Sequence, residues 1–147
     1  MRHVISVLLQ NEVGALTRMT GLFSTRGYNI DSLNVAPTEN PLVSRVTLVI
    51  SGSDEAIAQL NSQLGKLVDV LSIHDMTLDK YFEYELVIIK IDLFDESINE
   101  MEILAKEHDA ELLDHRINSY TVQITAKLEK INAFIDKVSQ LGELQAI

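Results

Sequence analysis

The sequence has no cysteine and only two prolines. Without cysteine it has no disulfide, no thiolate metal site and no cysteine nucleophile. No apolar stretch approaches the ~20 residues that a membrane-spanning helix needs, so no membrane partner is expected. Met1-Arg2-His3 leads directly into a strand-like run with no signal-peptide pattern, and the expected location is cytoplasmic. His3, His74, His108 and His115 show neither HxxxH nor HExxH spacing. No GxGxxG, Walker loop, GxSxG or paired-carboxylate constellation is present. Positive charge is scarce: 12 Lys/Arg stand against 22 Asp/Glu, a net charge of −10. Residues 1–78 hold 5 Lys/Arg and 7 Asp/Glu, and residues 79–147 hold 7 and 15, so the halves carry −2 and −8. Such a surface repels phosphate backbones and argues against nucleic acid. The acidic half reads either as a solvated face or as a face complementary to a basic partner protein.

What is present is 46% hydrophobic residues over 147 positions, enough for one domain or two small ones. Units of about 75 residues are small, so mutual packing or oligomerisation is expected to support them. The opening run VISVLLQNEVGALTRMTGLFSTRGYN is the most informative. Residues 3–9 predict a strand, QNEVG a turn, and Ala15, Leu16, Met19, Leu22 and Phe23 a helix over 14–26 that stops at Gly27. A turn of this kind leaves the first helical N–H groups unpaired at the end of the sheet, where donors and helix dipole suit a carboxylate. The turn contains no nucleophile, which favours binding of a small acid over chemistry.

Tyr28–Thr38 and Val43–Ser51 predict strands. Ser53-Asp54-Glu55 predicts a helix start, with Ile57, Leu60, Leu64 and Leu67 at helical spacing, and Val68–His74 a closing strand. The second half repeats this order. Glu85–Leu93 is a strand, Glu96–Glu107 a helix, and Ala110–Arg116 and Tyr120–Ala126 strands around a turn at Asn118-Ser119. Lys130–Leu141 is a helix and Glu143–Ile147 a last strand. The fold expected is α+β: two ferredoxin-like βαββαβ units, residues 1–78 and 79–147, joined near Thr77–Tyr84.

Several residues admit two readings. Gly14 relieves strain in an ordinary loop, or lets a ligand approach the backbone while Asn11 donates and accepts through its amide. Asn29 and Asp31 face solvent or cap the turn after Gly27, or they contribute to the cradle. His74-Asp75, His108-Asp109 and Asp114-His115 are either charge-assisted pairs or strand-end surface features. Lys90 lies in the apolar run ELVIIKI, either buried and perturbed or snorkelling to solvent.

The run QNEVGALTRMTGLFSTRGYNIDSLNVAPTENPLVSRVTLVISG resembles the regulatory small subunit of acetohydroxyacid synthase, also called acetolactate synthase. The family pattern there is roughly NExGxLxRxxGLFxxRGxNIxSLxVxPTxxPxxSR. QLGKLVDVLSI resembles the family's QLxKLxDVxxV, and ELVIIKI, SYTVQIT and KINAFIDKV resemble its C-terminal domain more weakly. The resemblance implies an N-terminal ACT domain that binds a branched-chain amino acid, usually valine, at a homodimer interface. It implies a non-catalytic subunit without its own cofactor. Its partner, the catalytic large subunit, carries thiamine diphosphate, Mg²⁺ and FAD, is activated by it, and receives feedback inhibition through it. Carried onto this sequence, the effector positions are Asn11, Gly14 and Asn29 with neighbouring Ile30, and Ala15 and Leu16 supply backbone donors. Family members often continue into an SGxxxLSRG-like tail, whereas this sequence stops at Ile147. A stand-alone ACT-type sensor of another enzyme is the alternative. Acylphosphatase chemistry needs a phosphate-holding arginine where this loop has Asn11 and Glu12. RNA binding needs stacking aromatics that Val4–Leu9 and Val43–Ser51 lack.

Overall fold

Two compact units, Met1–Tyr81 and Phe82–Ile147, follow one another along the chain. The structure is a computed structural model and describes residues 1–116 and 119–147, without the side chains of Leu78, Asp95 and His115. The turn expected at Asn118-Ser119 therefore lies outside the described residues at Asn118, while Ser119 already opens a strand.

The first unit runs β1 (Arg2–Gln10), α1 (Ala15–Thr25), β2 (Ile30–Pro37), β3 (Val43–Ser51), α2 (Asp54–Leu64) and β4 (Val70–Asp75). The second runs β5 (Glu85–Leu93), α3 (Ile98–Glu107), β6 (Glu111–Arg116), β7 (Ser119–Ala126), α4 (Leu128–Val138) and β8 (Gly142–Ala146). Each builds one four-stranded sheet, in the orders β2-β3-β1-β4 and β6-β7-β5-β8. Every pairing is antiparallel. This is the expected pair of βαββαβ units. Among the described residues no helix is long and apolar enough to cross a membrane.

Period-two and helical patterns meet in each core. In the first unit Ile5, Val7 and Leu9 of β1 and Val46, Leu48 and Ile50 of β3 face Ala15, Met19 and Phe23 of α1 and Ile57, Leu60 and Leu64 of α2. In the second, Ile89, Ile91 and Leu93 of β5 and Val122 and Ile124 of β7 meet Met101, Leu104, Ile131, Phe134 and Val138. Lys90, between Ile89 and Ile91, therefore points to the opposite sheet face and is exposed, so the reading of a buried lysine is corrected. At the start of β8, Gly142 lies so close to the Asp92 carbonyl that a Cβ there would overlap it.

The boundaries move where tight turns replace regular structure. Leu67 was grouped with α2, but the helix ends at Leu64 and tight turns bond Leu67 N–H to Leu64 O and Val70 N–H to Leu67 O. Val68 is exposed in that bend, so β4 begins at Val70. In the second unit α3 begins at Ile98, after a 3-10 turn at Asp95–Ser97. α4 begins at Leu128 and stops at Val138, where Leu141 N–H bonds back to Val138 O.

Phe134 is fully buried in the second core. Phe134→Ala is expected to cost about 3–5 kcal/mol, a transfer term plus the cavity left behind. The exposed Phe82 is expected to tolerate alanine within about 0.5 kcal/mol. Urea unfolding of the two variants, followed by far-UV circular dichroism, checks the contrast.

Candidate ligand-binding site

The turn between β1 and α1 is held from both sides. Asn11 N–H donates to Leu42 O at 2.8 Å, and the Asn11 amide Nδ2 donates to Pro41 O at 2.9 Å. These bonds tie it to the β2–β3 loop. On the other side Gln10 N–H donates to Asp69 O at 2.8 Å, which ties it to the loop before β4. One of the two Asn11 Nδ2 protons is thereby used, and Oδ1 with the second proton is left to face a ligand.

Gly14 sits at the N-terminal cap of α1 with φ of 84°, the left-handed region that glycine enters without penalty. The helix starts without a side-chain cap and with no acidic residue in its first turn. α2 is the opposite case: Ser53 Oγ accepts from Ala56 N–H, and Asp54 and Glu55 occupy its first turn. Among the described residues no backbone acceptor takes the Leu16 or Thr17 N–H at the start of α1. Ala15 was expected to be a ligand donor, but its N–H bonds to Glu12 O at 3.2 Å and its side chain is buried. The open donors lie one and two residues further on.

Over this turn lies a clamp that the pattern reading missed. Arg18 Nε and Nη2 donate to the two oxygens of Asp69 at 2.6 and 2.8 Å. The Asp69 carboxylate is buried, while Arg18 is half-exposed. The bond from Arg18 holds the Asp69 carboxyl below the usual carboxylate range, and the same bond raises the guanidinium's own pKa. The third nitrogen, Nη1, would lie 2.8 Å from a Cβ added at Gly14. Pinned twice on Asp69, the guanidinium is not free to swing away, so the space beside Gly14 is reserved. The sequence signal lay in VDV, where a carboxylate interrupts an apolar run in QLGKLVDVLSI.

Asn29 and Ile30 are placed elsewhere. Asn29 Nδ2 donates to Asp31 Oδ1 at 3.0 Å, and Asp31 Oδ2 accepts from Ser51 Oγ at 2.8 Å, at the far end of the sheet. Ile30 opens β2 and packs half-buried on the core. Along β3, Ile50 pairs with Ile30 and Val43 with Gln10. Seven residues at about 3.4 Å each set the two clusters roughly 24 Å apart within one chain. A single copy does not bring Asn29 to Asn11.

Of the two readings of His74 and His108, the structure does not form the pair with the adjacent aspartate. His3 is buried, with Nε2 3.3 Å from Asp54 and Nδ1 3.6 Å from Asp75. His74 pairs with Asp79 at 2.8 Å rather than with Asp75, whose carboxylate accepts the Thr77 N–H. The His108 ring packs tilted against Phe134, centroids 5.3 Å apart, rather than pairing with Asp109. Burial, then Lys137 and Lys130, push its pKa down. The side chain of His115 lies outside those described. No group of three or more His, Asp or Glu able to hold a metal occurs among the described residues.

The first βαββαβ unit, with an open glycine turn at its first helix, is an ACT domain, and a second unit of the same topology follows it. Residues 5–72 match the AHAS small subunit-like ACT domain model, and residues 84–147 match the model described as small subunit of acetolactate synthase. The acetolactate synthase small subunit of Haemophilus influenzae is 40% identical over 140 residues, covering 95% of this chain and 86% of that protein. The acetolactate synthase isozyme 3 small subunit of Escherichia coli is 38% identical over 144 residues, covering 98% and 88%. The crystal structure of the Thermotoga maritima small subunit superposes with a TM-score of 0.88 at 29% identity, over 97% of this chain and 90% of that one. The chain belongs to the acetolactate synthase small-subunit family.

Because the folded Asp69 carboxyl titrates below its unfolded value of about 3.9, the unfolded chain binds more protons in acid. The pair's contribution is therefore complete above about pH 4 and is lost as pH falls through the lower folded value. Asp69→Asn is expected to lower the urea midpoint at neutral pH and to flatten that acid-side loss. An Asp69→Asn midpoint with the wild-type pH profile would count against the clamp.

Proposed function

We propose that this chain is a non-catalytic regulatory subunit of acetolactate synthase. It binds a branched-chain amino acid, valine first among them, activates the catalytic large subunit and confers feedback inhibition on it in the cytoplasm. Residues 1–78 act as the amino-acid sensor, with residues 79–147 as a second unit. The carbon chemistry belongs to the catalytic subunit with its thiamine diphosphate, Mg²⁺ and FAD.

The observation that carries the reading is the α1 turn: a left-handed Gly14 without a side chain, followed by uncapped N–H groups at Leu16 and Thr17. These donors suit the carboxylate of an amino acid, and Asn11 Oδ1 suits its ammonium. The ~24 Å between Asn11 and Asn29 is then accounted for by a homodimer. β2 is an edge strand, exposed along nearly its whole length and carrying Leu33 and Val35. Antiparallel pairing of two β2 edges about a two-fold axis reverses their ends. Asn29 and Ile30 of one copy then come beside Asn11, Gly14 and Leu16 of the other, and Ile30 offers an apolar contact for a branched side chain.

A composite site has a distinctive test. Asn11→Ala and Asn29→Ala chains are each expected to bind valine at least tenfold more weakly than wild type by calorimetry. Unfolding the two together and refolding them as a random mixture places one intact site in each mixed dimer. Wild-type affinity should then return in about a quarter of the sites. Recovery of none means that both residues serve a site within one chain, or none at all. Activity of the catalytic subunit over a valine titration tests the regulatory half. A coupling of ~1–3 kcal/mol shifts affinities by roughly 5–150-fold, and reciprocally the catalytic subunit must change valine affinity by the same factor.

A further inference from the structure

An asparagine amide offers an acceptor at Oδ1 and two protons at Nδ2, and turning it over exchanges them. A site that uses such an amide needs a neighbour to fix which end it shows. For Asn11 that neighbour is the Pro41 carbonyl, which can only accept, so Nδ2 turns to it. For Asn29 it is the Asp31 carboxylate, which when ionised can only accept and takes an Nδ2 proton at 3.0 Å. Both amides are thus held at Nδ2. Among the described residues neither Oδ1 has a partner.

Two features place Asp31 itself. Along the β2–β3 ladder Ile30 pairs with Ile50 and Ser32 with Val49, so two steps of β2 stand against one of β3. Asp31 is the extra residue of this bulge, a device that re-aims a side chain. Its other oxygen, Oδ2, accepts from Ser51 Oγ at 2.8 Å, at the end of β3. One oxygen therefore ties the carboxylate to β3 and the other holds Asn29. None of the three residues serves the core. Asn29, Asp31 and Ser51 are exposed, while Ile30 between the first two packs inward. Exposed hydrogen bonds compete with water and add little to stability. What this chain of bonds fixes is the direction of one amide.

We propose that Asp31 is a positioning residue of the effector site, holding the Asn29 amide so that Oδ1 faces the ligand's ammonium. The inference rests on the reading of the first unit as an amino-acid sensor with a site shared between two copies. In that site Asn11 Oδ1 of one copy and Asn29 Oδ1 of the other are two acceptors, and an ammonium is rich in donors. A hydroxyl in its place gives a single proton. The site then selects a free α-amino acid over the α-hydroxy acid of the same carbon skeleton. Without Asp31 the Asn29 amide is free to turn over, and its Nδ2 protons then oppose the ammonium.

The test is calorimetry on the full chain with valine and with the α-hydroxy acid of valine's carbon skeleton. Asp31→Ala is expected to weaken valine about fivefold, the net worth of roughly one hydrogen bond, and to weaken the hydroxy acid less. Asn29→Ala with Asp31→Ala should bind valine no more weakly than Asn29→Ala alone, because Asp31 acts through Asn29. Refolded as a random mixture, Asp31→Ala and Asn11→Ala chains should regain wild-type affinity in about a quarter of the sites. A mixture of Asp31→Ala and Asn29→Ala chains, altered in the same half of the site, should regain it in none. If Asp31→Ala lowers the urea midpoint, Ser51→Ala, which frees the other end of the carboxylate, is judged by the same criteria. Unchanged valine affinity overturns the proposal. So do losses that add in the double variant, or recovery with Asn29→Ala in place of Asn11→Ala. Full valine affinity in both Asn11→Ala and Asn29→Ala instead overturns the sensor reading beneath it.

Discussion

The geometry of the first unit depends on one buried carboxylate. The Asp69 carbonyl holds the end of β1 through Gln10, and its side chain takes both oxygens' worth of Arg18. Three segments far apart in sequence thus meet at one residue: the end of β1, the first turns of α1 and the bend before β4. A buried carboxylate is costly unless paired and well bonded, and removing its partner strands the charge. The pair therefore specifies position more than it stabilises. Arg18 cannot leave Asp69 cheaply, so Nη1 stays over Gly14 and the turn keeps one shape. A carboxylate 51 residues away from Arg18 in sequence sets the form of the proposed ligand cradle.

The second unit has the same topology but a different helix entrance. α1 follows a left-handed glycine with its first donors open. α3 follows a 3-10 turn in which Ser97 N–H bonds to Phe94 O, and Glu100 stands in its first turn. The extra tight turn uses a backbone donor, and the acid meets the positive end of the dipole. An anionic ligand finds less to bind there. Repetition of a fold thus carries no repetition of a helix entrance: a few residues leave donors open at the start of α1 and occupied before α3.

The elements were legible because burial on one side of a sheet imposes period two and burial under a helix imposes a helical stripe. Both periods are local, and β1, α1, β3 and β5 follow them nearly residue for residue. The departures come from contacts that periodicity does not report, some local turns and one a long-range pair. Val68-Asp69-Val70 looks like the start of an alternating strand, yet Asp69 is turned to Arg18 and the strand waits until Val70. His74 beside Asp75 admits a local pair, but after a 3-10 turn its partner is Asp79 at 2.8 Å. Ala15 looked like a free donor until Glu12 folded back on it. Asn11 and Asn29 belong to one family pattern and lie at opposite ends of the sheet. Periodicity alone does not report such a separation; the order of elements does, because α1 carries the chain back along β1 before β2 begins.

That separation has a thermodynamic consequence on the reading proposed here. A ligand held by Asn11 of one copy and Asn29 of another binds the pair and not the single chain. Its free energy therefore adds to that of association, and mass action makes the effector a stabiliser of the dimer. An equilibrium shifts only by a ligand's differential affinity for its two states, and here the two states differ in how the β2 edges meet. The signal arises at the junction of two small subunits, built from the first unit alone.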